Sequence, residues 1–119
     1  MELGELRAYC LSRKGAKETF PFGADVLVYK VMGKMFALLP NSAPVTISLK
    51  CEPTWALILR STYPAVQPGY HLNHEHWNSI ACDGSVADEE ILGMVDHSYE
   101  QVVKGFTRKQ RQQLDSQAD

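Results

Sequence analysis

The chain lacks an apolar run long enough to cross a bilayer, so no membrane span is expected. It also lacks a charged start followed by an apolar stretch, so no signal peptide is expected. Cysteine is scarce: Cys10, Cys51 and Cys82 are odd in number, widely spaced and free of any CxxC pair. That pattern excludes a disulfide framework and a paired-cysteine zinc site. Each cysteine is expected as a small buried thiol in a reducing compartment, which places the protein in the cytoplasm. No GxSxG, no cysteine–histidine signature, no paired carboxylates and no glycine-rich phosphate loop occur, so neither a hydrolase nor a nucleotide enzyme is indicated. An excess of positive charge is missing too. Twelve Lys and Arg stand against fourteen Asp and Glu, for a net charge of −2. Nothing global therefore favours a polyanion, and a nucleic-acid partner would need a local basic patch. Repeats, linkers and low-complexity segments are absent, and 119 residues suit one domain with its own core.

What is present is alternating patterning. Leu3, Leu6, Cys10 and Leu11 share a helical face, and Gly15 is placed to end that helix. Pro21 and Gly23 then break the pattern. "ADVLVYKVMGKMFALLP" reads as two strands around a tight turn at Met32-Gly33-Lys34. In "PVTISLK", Val45, Ile47 and Leu49 alternate with Thr46, Ser48 and Lys50, as in a strand with one face in the core. Pro53 suits the first turn of a second helix, with Glu52 as a cap poorer than Ser or Asp. "AVQPGYHLNHEHW" reads as a loop, and "WNSIACDG" as a short strand closed by Asp83-Gly84. Ser85 and Asp88 have capping-box spacing ahead of a third helix carrying Ile91, Leu92, Val95, Tyr99, Val102 and Val103. Residues 107–119 form a polar tail expected as a short, fraying helix, after a single domain over residues 1–106. The order predicts a two-layer α+β domain: an antiparallel sheet with helices packed on one face.

The densest cluster of polar chemistry is "HLNHEHW", with His71, Asn73, His74, His76 and Trp77. Zinc needs three or four ligands converging on one point. On a helix His76 would lie away from His71 and His74; on a strand His71 would point away from the other two. No regular element aims all three together. A structural role is the plain alternative, with polar groups satisfying loop backbone and Trp77 anchoring in the core. Recognition is the third: Lys30, Lys34 and Lys50 form a basic strand face beside the loop, where lysines suit phosphates and asparagine suits base edges. A second basic run, Lys104, Arg108, Lys109 and Arg111, reads as a solvated helix end.

"ETFPFG", "KVMGKMFALL", "SLK", "PGYHLNHEHWNSI" and "DGSVADEEILGMVDHSYEQVV", in that order, resemble the MmcQ/YjbR-like family of small bacterial proteins, over about residues 3 to 106. The resemblance implies a CyaY/frataxin-like fold, a curved antiparallel sheet backed by two main helices. It also implies DNA binding through a double-wing arrangement, without catalysis. His71, Asn73, His76 and Trp77 match the family's polar motif, whereas His74 stands where the family usually has lysine. Frataxins bind iron on an acidic first helix. Here Glu2 and Glu5 face Arg7, Arg13 and Lys14, so iron binding does not carry over.

The expectation is thus a non-enzymatic, cytoplasmic monomer with no cofactor and no resident metal. Its partner is DNA, bound through Lys30, Lys34, Lys50, His71, Asn73, His74, His76 and Trp77. The alternatives are a protein-interaction or regulatory module using the same face, or a divalent-metal binder through His71, His74 and His76.

Overall fold

The computed structural model describes residues 1–117. Helix α1 (Leu3–Leu11) leads into β1 (Ala16–Thr19), the hairpin β2 (Val26–Val31) and β3 (Lys34–Pro40), and β4 (Thr46–Lys50). Helix α2 (Pro53–Thr62), β5 (Val66–Pro68), β6 (Trp77–Ala81), α3 (Asp88–Lys104) and α4 (Arg108–Asp115) complete the order. The strands form one six-stranded sheet in the order β1-β2-β3-β4-β6-β5, with every neighbour antiparallel. This is the expected α+β architecture.

Register divides the sheet into two faces, because directly paired residues point the same way and successive residues alternate. Leu27 with Leu39, Tyr29 with Ala37, Ala37 with Leu49 and Ile47 with Ile80 face the helices. They join Leu6 and Cys10 of α1, Ala56 and Leu59 of α2, and Ile91, Met94 and Val95 of α3 in one core. Among the described residues no helix packs on the opposite face. The central turn is Met32-Gly33, where both residues take positive φ (46° and 80°), as a two-residue hairpin turn demands.

One irregularity positions the layers. The register of β2 against β3 shifts between Tyr29 and Lys30, so that Phe36 is an extra residue without a ladder partner. Fully buried Ser98 of α3 fills the gap: its hydroxyl donates to the Phe36 carbonyl at 2.5 Å and accepts the Lys50 amide at 2.8 Å. A single hydroxyl thereby joins α3, the bulge and the end of β4.

The start of α2 is held from α3 as well. Glu52 accepts from the Thr54 and Trp55 amides, both at 3.0 Å. It is the expected side-chain cap, its longer arm folding back over the first turn. Those amide bonds lower its carboxyl below the usual carboxylate range. The Glu52 amide in turn donates to Nε2 of His97 at 3.1 Å, and the imidazole meets the Trp55 ring edge-on at 4.3 Å. Burial lowers the His97 pKa from its ordinary 6.5, and Nε2 must be unprotonated to accept. The unfolded chain therefore binds the proton more readily than the folded one, so this contribution is complete above about pH 6.5 and is lost as pH falls through the lowered value. The thermal midpoint should drop between pH 7.5 and 5.5. A His97→Gln variant, whose amide oxygen can accept the same bond at either pH, should show a smaller drop. An equal drop in both proteins would remove His97 as the cause.

Three local expectations need correction. β1 and β5 are strands where only a break and a loop were expected: each is short and exists through its pairing with β2 or β6. Ser85 is not a helix cap; its amide and hydroxyl both bond Asp83, and the N-cap of α3 is Ala87, two residues later. The C-terminal segment carries a short helix, α4, and it is docked. Thr107 and Gln110 form a reciprocal capping box, and Leu114 is only 3% exposed. It packs where Gly15, at φ +73°, presents no Cβ. Residues 118 and 119 of the expected tail lie outside the described residues.

Candidate nucleic-acid interface

The helix-free face is read from the same register. Lys17 lies directly opposite Lys30, Thr19 opposite Val28, and Val28 opposite Leu38. Leu38 then pairs with Ser48, Ser48 with Ser79, and Lys50 with Trp77. Every strand position of this face is apolar, hydroxylic, amide-bearing or lysine; no Asp or Glu occupies one. For a chain with more acids than bases, that is a strong segregation of charge. Lys17 and Lys30 are like charges paired across two strands, an arrangement that costs stability. Among the described residues neither they nor Lys50 form an ion pair, whereas Arg7 is bound to Glu18 and Arg13 to Asp96 on the helical side.

Of the three lysines expected from sequence, Lys30 and Lys50 share this face. Lys34 pairs with Val31 and so has the opposite parity, at the exposed turn end of the hairpin. It still borders a shallow depression with Lys50, Met35, Trp77 and the end of α3 at Gly105 and Phe106. Lys17 was not among the expected residues, because nothing in "GAKETF" alternates clearly enough to announce an edge strand.

The loop between β5 and β6 is ordered mainly through its backbone. Arg60 of α2 reaches beneath it: Nε donates to Asn78 Oδ1 at 2.6 Å, and a terminal nitrogen donates to the carbonyls of His74 and of Trp77. Asn73 Oδ1 accepts the Glu75 amide at 2.8 Å and the His76 amide at 3.3 Å, so that side chain holds the turn. The His76 carbonyl accepts the Cys51 amide at 2.8 Å, which ties the loop to the end of β4. His71 and His74 are exposed, His76 is half-buried, and Trp77 is 9% exposed, packed so closely on Gly69 that a Cβ there would lie 2.7 Å from its own. The imidazole of His71 lies 3.9 Å from the Tyr70 ring. Among the described residues no three His, Cys, Asp or Glu side chains are grouped to hold a metal ion. Nor does any helix among them have the length and apolarity to cross a membrane. Arg60 was not legible as the loop's anchor, since it sits in another helix and its contacts are made only in the folded chain.

The cysteines carry no activated thiolate. Burial pushes the Cys10 thiol up to about 12 and the Cys51 thiol up to about 11, so both stay protonated at neutral pH.

Comparison with known proteins matches this geometry to one group. The family model YjbR matches residues 11–101. The Escherichia coli K12 protein YjbR is 34% identical over 116 residues, covering 96% of this chain and 98% of its own. The Bacillus subtilis protein YyaQ is 29% identical over 73 residues, 61% of each chain. A crystal structure of a Deinococcus radiodurans protein with the DUF419 domain superimposes with a TM-score of 0.88 and 38% identity, covering 95% of this chain and 87% of that one. A Pseudomonas syringae structure shares the fold, with a TM-score of 0.74 at 24% identity over 85% of this chain and 98% of its own.

Proposed function

We propose that the chain, which belongs to the YjbR family, is a non-enzymatic DNA-binding protein that uses the helix-free face of its sheet. The observation that carries the reading is the face itself: lysines with no counter-charge among the described residues, one pair directly opposed, and no carboxylate among its strand positions. A polyanion relieves that repulsion and exchanges its condensed counterions for lysine. Lys17, Lys30 and Lys50 take phosphates on the face, and Lys34 takes one at the turn end of the hairpin. The loop adds polar contacts from the exposed His71 and His74. Asn73 and His76 shape the loop, and Trp77 fixes its exit into β6. In this reading the protein is a cytoplasmic monomer, and the sheet backed by α1 and α3 is an arrangement of the frataxin-like kind. The fold alone says nothing of activity, so the proposal rests on the charge of the face.

The test is fluorescence anisotropy with a labelled mixed-sequence DNA at several salt concentrations. If each of the four lysines neutralises one phosphate, the logarithm of the affinity should fall with the logarithm of salt with a slope of about 3 to 4. Affinity that is undetectable at low salt would overturn the proposal. The same face binding a protein in a largely salt-independent way would favour an interaction module instead.

A further inference from the structure

Tyr70 leaves 76% of its surface in water, more than any other large apolar side chain among the described residues. It is nevertheless firmly placed. Its amide donates to Ser79 Oγ at 3.0 Å, and that hydroxyl bonds Ser48 Oγ at 2.7 Å. Both serines are on the helix-free face, so the Tyr70 backbone is moored there. The next residue, His71, takes φ +58°, a left-handed conformation uncommon for a side-chain-bearing residue, and its imidazole lies against the Tyr70 ring, tilted by 49°. An aromatic pair is thus held in water at one edge of the lysine-bearing face. At the other edge, Phe20 and Phe22, 50% and 62% exposed, flank the β1–β2 connection.

Exposed rings beside lysines that have no ion-pair partner among the described residues suit one kind of ligand: a chain with negative charge along its backbone and flat π-faces free to stack. Duplex DNA offers the charge but keeps its bases stacked on each other. An unpaired strand offers both. The width is adequate, because a six-stranded sheet is about 24 Å across at roughly 4.8 Å per strand spacing, enough for several nucleotides.

We infer that the ligand of this face is single-stranded DNA, with a base stacked on the Tyr70–His71 pair and phosphates on Lys17, Lys30 and Lys50. The inference rests on the DNA-binding reading and specifies its ligand. It is tested by anisotropy at low salt with three labelled probes of equal length: a mixed-sequence single strand, the corresponding duplex, and an abasic strand that keeps its phosphates. Each is titrated with the intact protein, with Tyr70→Ala and with Tyr70→Phe. The single strand should bind about tenfold more tightly than the duplex or the abasic strand. Tyr70→Ala should abolish that margin and leave the other two affinities unchanged, while Tyr70→Phe should keep it. Because Tyr70 is exposed, an unchanged thermal midpoint will show that the variant is folded. Equal or tighter duplex binding, or a single-strand affinity indifferent to Tyr70→Ala, overturns the inference while DNA binding stands. Failure of all three probes overturns both.

Discussion

Replacing Ser98 with alanine is expected to lower the unfolding free energy by about 2–4 kcal/mol, far more than the loss of one exposed hydroxyl. Phe36 has no ladder partner at the bulge, and its carbonyl relies on the Ser98 hydroxyl. The Lys50 amide relies on the same oxygen. Alanine fits the space but satisfies neither group, and each buried group left unpaired costs about 1–3 kcal/mol, with some relief if water enters. Urea unfolding should show a lower midpoint with an unchanged slope, the signature of lost stability rather than an altered unfolded state. A change below about 0.5 kcal/mol would mean that the bulge satisfies itself by another route. The consequence extends to the proposed function, because Ser98 fixes the end of β4 from which Lys50 projects.

The second large effect concerns charge. Lys30→Glu/Lys50→Glu should weaken DNA binding by about 100-fold at low salt, since it removes two phosphate partners and adds two repulsive charges. Folding should not suffer. Lys30 is opposite Lys17, so a carboxylate there converts a repulsive cross-strand pair into an attractive one. The double variant should match or exceed the parent in thermal midpoint while losing affinity. Affinity that survives in a folded variant would place the binding surface elsewhere, for example on the Lys104–Arg111 corner.

The features legible in the sequence are those with local causes. Gly33 between alternating strands announces the hairpin because glycine takes positive φ freely, and Met32 is carried into the same region by the turn. Ile47 and Leu49 announce a half-buried strand, and the spacing of Ile91, Val95 and Val102 announces α3. β1 and β5 have four and three residues, too few to establish a period, and arise from pairing across the sheet. The cap of α3 at Ala87 uses no side chain, so Ser85 offered the more conspicuous and misleading signal. Arg60 and Ser98 hold the loop and the bulge from 14 and more residues away, and no spacing rule exposes such contacts. The candidate interface shows the same division. Lys30 and Lys50 follow from strand alternation, whereas Lys17, Tyr70 and the absence of carboxylates from the face require the register. The histidine density that dominates residues 71–76 resolves into a ring tilted against Tyr70, a half-buried ring and an exposed one rather than a convergent site.

The most direct measurement is an NMR titration of isotope-labelled protein with a short DNA at low salt, following backbone amides and lysine side chains. Binding through the helix-free face predicts shifts concentrated at Lys17, Thr19, Lys30, Ser48, Lys50, Tyr70 and Ser79, with the exposed surfaces of α1 and α3 silent. Shifts confined to the helical layer, or none at all, would contradict it.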